Sequence, residues 1–303
     1  MPPASVLAAG APSASLGDYV ALLKPRVMSL VVFTGFAGIY LAPGHLHPVL
    51  AAVAVLCIAV AAGACGAINM WYDRDIDMVM TRTCNRPLPA GRMEPGDALG
   101  FGVVLACASV LVMGLALNWA AAALLAFTIA FYVFVYTLWL KRRTPQNIVI
   151  GGAAGALPPL VGWAAATGTI GLPALVLFAL VFFWTPPHFW ALALYRADDY
   201  ARAGIPMLPV VSGPAETKRQ MVIYTLVLWP LAVAPTLLGV TGWIYGAVAL
   251  ALSAAFTALA VRVLYAEGER PARQMFGFSI VYLFVLFAVM MVDRAPALAG
   301  GAG

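Results

Sequence analysis

The sequence predicts an all-α fold: a polytopic membrane bundle of nine transmembrane helices, its cavity open to the cytoplasmic side. Three observations carry the helical membrane part of that expectation. Of the 303 residues, 63% are hydrophobic and only 10% charged, and the mean hydropathy is +0.95, far outside the range of water-soluble domains. Apolar runs of about 20 residues, the length that crosses a bilayer, recur along the whole chain. The charges gather between alternate runs and do not spread evenly. Transmembrane β-strands would alternate apolar and polar residues, whereas these runs are apolar on every face.

In chain order, residues 1–17 are rich in Ala, Ser and Pro and contain no arginine. They read as a disordered tail, not a targeting peptide, which favours a bacterial inner membrane. A single transmembrane domain then occupies 18–293, and 294–303 is a short external tail. Within the domain, apolar segments are expected at 26–43, 48–72, 97–117, 119–140, 147–166, 172–195, 220–238, 242–264 and 275–293. Connections on one side are very short, as in Leu117 to Trp119 and Gly239 to Thr241; those on the other are longer and polar.

Of the seventeen Lys and Arg residues, all but Arg294 fall on that longer-loop side. Positive residues stay cytoplasmic, so the N-terminus is expected inside and the C-terminus in the periplasm. Of the twelve acidic residues, all but Asp293 share the same side. Chemistry that needs charge therefore belongs there. The net charge of +5 sets topology, and no nucleic-acid partner is expected.

The four cysteines form no disulfide framework. Cys57 and Cys65 lie on one helix about 12 Å apart by helical rise, too far to bridge. Cys107 sits in another span and Cys84 in a basic loop, and no CxxC or Cys/His spacing suggests zinc. Small residues such as Gly63, Gly66, Gly151 and Gly152 read as close helix packing.

One stretch concentrates the chemistry. Asn69, Asp73 and Asp77 recur every four residues at the end of the uncharged run 51–68, and on an α-helix that spacing puts all three on one face. Two such carboxylates repel one another unless a cation lies between them. Arg82, Arg86 and Arg92 follow closely. Oxygen ligands for a hard cation beside guanidinium forks suit a Mg²⁺-bound diphosphate. The plainer alternative is a helix end emerging into water, and Arg74 and Asp75 are read as such surface charges. A fainter echo follows the sixth segment, where Arg196, Asp198 and Asp199 precede Leu208-Pro209 much as Asp73 and Asp77 precede Leu88-Pro89.

The string from Asn69 through Asp73 and Asp77 to Met80-Thr-Arg-Thr-Cys-Asn-Arg-Pro-Leu-Pro89 resembles the UbiA-type intramembrane prenyltransferases. Lys24-Pro-Arg26, Lys141-Arg-Arg-Thr-Pro-Gln-Asn-Ile148 and Trp184-Thr-Pro-Pro-His-Phe-Trp190 are similar to a narrower branch, the protoheme IX farnesyltransferase (haem O synthase) family. The resemblance covers about 18–293. It implies farnesyl diphosphate and haem b as substrates, Mg²⁺ as cofactor, membrane lipid around the bundle, and haem A synthase as a candidate partner. By that resemblance Asn69, Asp73 and Asp77 hold the metal, while Arg82, Arg86 and Lys141 neutralise the leaving diphosphate. The wider superfamily carries a second Asp-x-x-x-Asp motif after the sixth span, where this chain has Arg196 and Tyr200. Arg196 and Asp199 are kept as substrate-binding candidates, and Asp199 as the weaker metal ligand.

His188 is the one histidine away from the outer face, about 12 Å above the cytoplasmic end of its segment. It is either a packing residue beside the Pro186-Pro187 kink or a haem contact or proton-transfer group, since histidine at membrane depth is costly and imidazole binds haem iron. Trp71, Tyr72, Tyr132, Tyr136, Phe183, Trp184, Phe189 and Trp190 are interfacial by default, and some could face an allylic cation. Two rival functions remain: prenylation of an aromatic quinone precursor, and transport. A transporter would carry ionisable groups through the midplane, whereas nearly all charges here gather at one face.

Overall fold

The computed structural model describes residues 14–295, which form helices with no β-strand among them; one isolated antiparallel bridge joins Thr241 and Arg294. Of the expected tails, 1–13 and 296–303 lie outside the described residues, and Leu16 and Gly17 already belong to a helix.

That helix, α1 (Leu16–Leu22), starts at a capping box in which Ser15 and Asp18 satisfy each other's backbone amides. A 52° bend separates it from α2 (Pro25–Leu41). Lys24 forms the bend with φ +50, the one non-glycine residue with positive φ among those described. Then come α3 (Pro48–Tyr72), the short α4 (Arg74–Val79) and α5 (Pro95–Ala116). Proline opens α2, α3 and α5, where its missing N–H costs nothing. Next, α6 (Trp119–Ala130) continues in π-helical register through Phe131–Leu140.

The fifth expected segment is broken at Leu157 into α7 (Asn147–Ala156) and α8 (Pro158–Thr167), because Pro158 and Pro159 cannot donate to the helical ladder. After α9 (Leu172–Leu194) come the short α10 (Ala197–Arg202) and α11 (Leu208–Val211), then α12 (Gly213–Leu237), α13 (Trp243–Tyr265) and α14 (Arg270–Val292). Among the described residues, eight helices are long and apolar enough to cross a membrane, or nine if the bent α1–α2 pair is one span. The expected nine segments are thus all helical. The greatest offset at a helix start is α12, which begins at Gly213 and not at 220, because its first turns carry Glu216, Lys218 and Arg219 and so lie outside the apolar run.

Two buried apolar clusters hold most of the bundle's described core. One runs through α9, α12, α13 and α14 and includes Leu180, Leu228, Phe256 and Phe287. The other joins α3, α6 and α8 around Ile58, Leu125 and Val161. The crossing of α2 and α8 is backbone on backbone. A Cβ on Gly162 would stand 2.1 Å from the Gly35 carbonyl oxygen, and one on Gly38 the same distance from that of Pro159. Apolar side chains such as Leu115, Leu172, Trp243 and Val292 point outward, as lipid contact requires in a multi-pass membrane protein. Polar loops between spans are held by a third cluster, in which Ile76 and Met80 of the α4 region pack with Ile148, Ala193, Tyr200 and Met207.

Candidate active site

The helix axis breaks between α3 and α4 at Asp73, whose φ and ψ are −88° and 8°. The hydrogen-bond ladder nevertheless runs through the break. Asp73 N–H donates to the Asn69 carbonyl at 2.9 Å, and Asp77 N–H to that of Asp73 at 2.8 Å. One-turn spacing therefore survives, and Asn69, Asp73 and Asp77 are all buried.

Around them lies a network in which each acid meets a base. Asn69 Nδ2 donates to Asp73 Oδ2 at 2.7 Å and to Thr137 Oγ1 at 3.3 Å, while its Oδ1 accepts from Lys24 Nζ at 2.9 Å. Lys141 Nζ pairs directly with Asp73 Oδ2. Arg86 Nη1 donates to Asp77 Oδ2 at 2.6 Å, and Thr83 Oγ1 caps the Asp77 carbonyl at 3.0 Å. A buried carboxylate is tolerable only with such partners.

The π-helical stretch sets two of these contacts. Widened register carries Lys141 N–H back to the Tyr136 carbonyl, five residues earlier, at 2.9 Å. It thereby places Lys141 and Thr137 on the acid face of α3; such π-helical insertions are often found at functional sites. Gly151 on α7 leaves room for the neighbouring Tyr136 ring, which a Cβ would meet at 2.2 Å.

Arg142 forms the outer edge. It holds Asp75 through two 2.7 Å bonds, donates to the Tyr72 carbonyl at 3.1 Å, and lies 4.6 Å over the Tyr72 ring. Its guanidinium holds the Asp75 carboxyl below the usual carboxylate range. Asp75, expected as an ordinary surface charge, is exposed as such and from there anchors Arg142. Arg74 likewise stays at the surface, bonded to the Trp71 carbonyl. A pocket of about 480 Å³ opens beside Trp71, Tyr72, Asp75 and Arg142; neither Asp73 nor Asp77 lines it.

The second acid loop meets the first. Asp199 is buried on α10 while Asp198 is exposed. Asp199 Oδ1 accepts from Thr81 Oγ1 at 2.9 Å and pairs with Arg202, and its Oδ2 lies 3.6 Å from Arg196. Arg202 also reaches Thr81 at 3.3 Å. Arg82 is exposed nearby. Arg92, counted in the arginine cluster, turns away to pair with Asp18 at 2.8 Å.

His188 sits in α9 between two rings, Trp184 at 4.3 Å and Phe276 at 4.7 Å between centroids. Its Nδ1 lies 2.6 Å from Ser279 Oγ.

These donors can be tested against a divalent cation. Among the described residues, no three His, Cys, Asp or Glu side chains are grouped to hold a metal. Two carboxylates and an amide are the available oxygens, a set too small to enclose an ion. It fits Mg²⁺, which usually takes one or two carboxylates and completes its shell with substrate phosphates and water.

Three participants have no role in the sequence reading: Lys24, Thr81 and Ser279. Lys24 and Thr81 stand inside the motifs that carry the resemblance, and Lys24 has a signal of its own, a long cation immediately before proline, where helix is disfavoured. Ser279 carried none, being one serine in an apolar run.

Comparison with known proteins adds three findings. Residues 31–290 match the model of the UbiA prenyltransferase family. The protoheme IX farnesyltransferase of Azorhizobium caulinodans is 60% identical over 293 residues, spanning 93% of this chain and 95% of its own. Among solved structures, a digeranylgeranylglyceryl phosphate synthase superposes with a TM-score of 0.77 at 16% identity, over 92% of this chain and 98% of its own. A UbiA homolog from Archaeoglobus fulgidus, solved with DMAPP and Mg²⁺, superposes at 0.67 with 18% identity, over 90% and 99%. Likeness at that identity speaks for the fold alone.

Proposed function

The chain belongs to the UbiA prenyltransferase family, in its protoheme IX farnesyltransferase branch, and on that premise we propose that it farnesylates the 2-vinyl group of haem b, giving haem O. One observation carries the reading: Asp73 and Asp77 are buried one turn apart, with Lys141 on the first and Arg86 on the second. An acid pair already threaded with cations is what a bound metal and an incoming diphosphate would rearrange, oxygen to metal and base to phosphate.

Asn69, Asp73 and Asp77 would supply oxygens to Mg²⁺, which when bound draws off negative charge from the leaving diphosphate. Lys141, Arg86 and Arg82 offer fixed positive charge to the same oxygens, favouring the ionised state over the intact ester. Arg196 and Arg202, steadied by Asp199, would face the diphosphate from the opposite loop. The C1–O bond of farnesyl diphosphate breaks with its electron pair leaving on oxygen, and the vinyl carbon bonds to C1. Water captures the cation left beside the porphyrin and sheds a proton, giving the hydroxyethylfarnesyl group. The farnesyl tail lies among apolar helices.

The polar end that carries this site would face the cytoplasm, with the N-terminus inside and the C-terminus in the periplasm of a bacterial inner membrane. A haem A synthase would be the consumer of the product. The test is incubation of the membrane-embedded protein with farnesyl diphosphate, Mg²⁺ and either haem b or 4-hydroxybenzoate, with mass analysis of each acceptor. A porphyrin heavier by one farnesyl group and one hydroxyl supports the reading; prenylated 4-hydroxybenzoate with unmodified haem overturns it.

A further inference from the structure

Two residues one turn apart on α9 grip a single residue of α14. Trp184 Nε1 donates to the Ser279 carbonyl at 2.8 Å, and His188 Nδ1 lies 2.6 Å from Ser279 Oγ. Ser279 is fully buried. Its hydroxyl proton is already committed, because Oγ donates to the Phe276 carbonyl at 2.6 Å. A serine hydroxyl has one proton to give and lone pairs to receive with. Toward His188 it can therefore only accept, so Nδ1 carries the hydrogen.

That assignment fixes the other nitrogen. Among the described residues no carboxylate is bonded to the ring, and a buried imidazolium without a counter-ion is costly, so the ring is neutral with one N–H. Nε2 then holds a bare lone pair, and no hydrogen bond from a described residue reaches it. Trp184 and Phe276 cover the two faces at interplanar angles of 19° and 24°, which denies the ring room to flip. The residue keeps 9% of its surface exposed, and Phe189 stands edge-on to the ring at 5.1 Å between centroids.

We propose that Ser279 is a positioning residue that locks His188 as the Nδ1–H tautomer and so presents Nε2 to the iron of the haem acceptor. The inference rests on haem b being the acceptor. Ligating histidines elsewhere are oriented in the same way, by a hydrogen bond at the nitrogen that does not touch metal, and losing that bond typically costs 10- to 100-fold in affinity. A ligand at this depth would fix the porphyrin's height and rotation, and with them the vinyl group that meets the farnesyl cation.

The experiment is haem b titration of the full-length protein in nanodiscs, read by the iron–imidazole resonance Raman and Soret signatures, with the farnesyl diphosphate KM as a check on the rest of the site. Expected are an imidazole signature in the wild type, its loss in His188→Ala with recovery on added imidazole, and haem affinity about 10- to 100-fold weaker in Ser279→Ala with the farnesyl diphosphate KM unmoved. In the His188→Ala background, Ser279→Ala should cost nothing further. A Ser279→Ala protein with wild-type haem affinity and iron spectrum overturns the inference, as does an imidazole signature that survives His188→Ala. Wild-type protein that binds no haem and prenylates another acceptor overturns the underlying function as well, and that result is distinct from the other two.

Discussion

Thr81 donates a hydrogen bond of 2.9 Å to Asp199 across 118 residues of sequence, and so ties the loop after the first acid motif to the one after the sixth expected segment. The faint echo between those stretches thus has a physical counterpart: the two loops touch, and share an apolar cluster of Ile76, Met80, Tyr200 and Ile205. A hydrogen bond to a charged group is worth about 1.5–3 kcal/mol. Thr81→Val, which keeps the shape and removes the donor, should lower kcat/KM for farnesyl diphosphate by about tenfold, and Thr81→Ser should keep most of it. Steady-state kinetics with both variants checks this; equal activity of Thr81→Val and wild type would mean that the contact is packing alone.

Removing one acid from the first motif exposes its partner. Asp73→Asn leaves the Lys141 ammonium without its carboxylate, and Asp77→Asn does the same for Arg86. On the proposed function, each change would also remove a carboxylate oxygen offered to the metal. Either variant should lose at least about 100-fold in kcat, consistent with losing an electrostatic contributor of about 3 kcal/mol. The Mg²⁺ concentration for half-maximal rate should rise too. Chelation of divalent ions should stop the wild type reversibly. A Mg²⁺ titration of all three proteins decides it, and undiminished turnover of Asp73→Asn would remove Asp73 from the mechanism.

The bundle was legible in the sequence because its signal is repeated over hundreds of atoms of apolar surface, and α3 was marked at 48–72, the bounds it has. Asn69, Asp73 and Asp77 were legible because helical period turns spacing into a shared face. Residues that reach the site across the fold were not. Nothing local to Thr81 announces Asp199, and nothing around Ser279 announces His188, since those contacts depend on how α4 meets α10 and α9 meets α14. The break at Leu157 was written in Pro158-Pro159 but overruled by the hydropathy of the run. Asp75 is the exposed charge its position suggests, but nothing local to it announces Arg142, which reaches it across 67 residues.

Arg142 and Asp75 yield a prediction with a sign. The pair is surface-exposed on the Asp75 side, so it contributes under about 1 kcal/mol to stability. Asp75 is held below the usual carboxylate range by Arg142. Its contribution is therefore fully present above the unfolded value of about 3.9 and fades as pH falls through the lower folded value. Asp75→Ala should leave the melting temperature nearly unchanged at pH 7. It should raise the farnesyl diphosphate KM a few-fold, because Arg142, which also lies 3.4 Å from Asp73, loses the anchor that aims it. Thermal shift and kinetics on one preparation separate the two effects.

The α2–α8 crossing offers a stability test far from the chemistry. Gly162 faces the Gly35 carbonyl so closely that a Cβ would come within 2.1 Å of its oxygen. Both clashing partners are backbone, so no rotamer change can relieve the overlap, and the helices must separate. Overpacking in a core costs about 1–3 kcal/mol when side chains can yield; with backbone on both sides, Gly162→Ala should reach or exceed the top of that range. Gly155, near the α7–α8 break, has open space where its Cβ would be, so Gly155→Ala is the matched control and should be close to neutral. Detergent-solubilised melting curves should therefore show Gly162→Ala well below Gly155→Ala. If the two variants melt together, the close approach of α2 and α8 is not what holds this corner of the bundle.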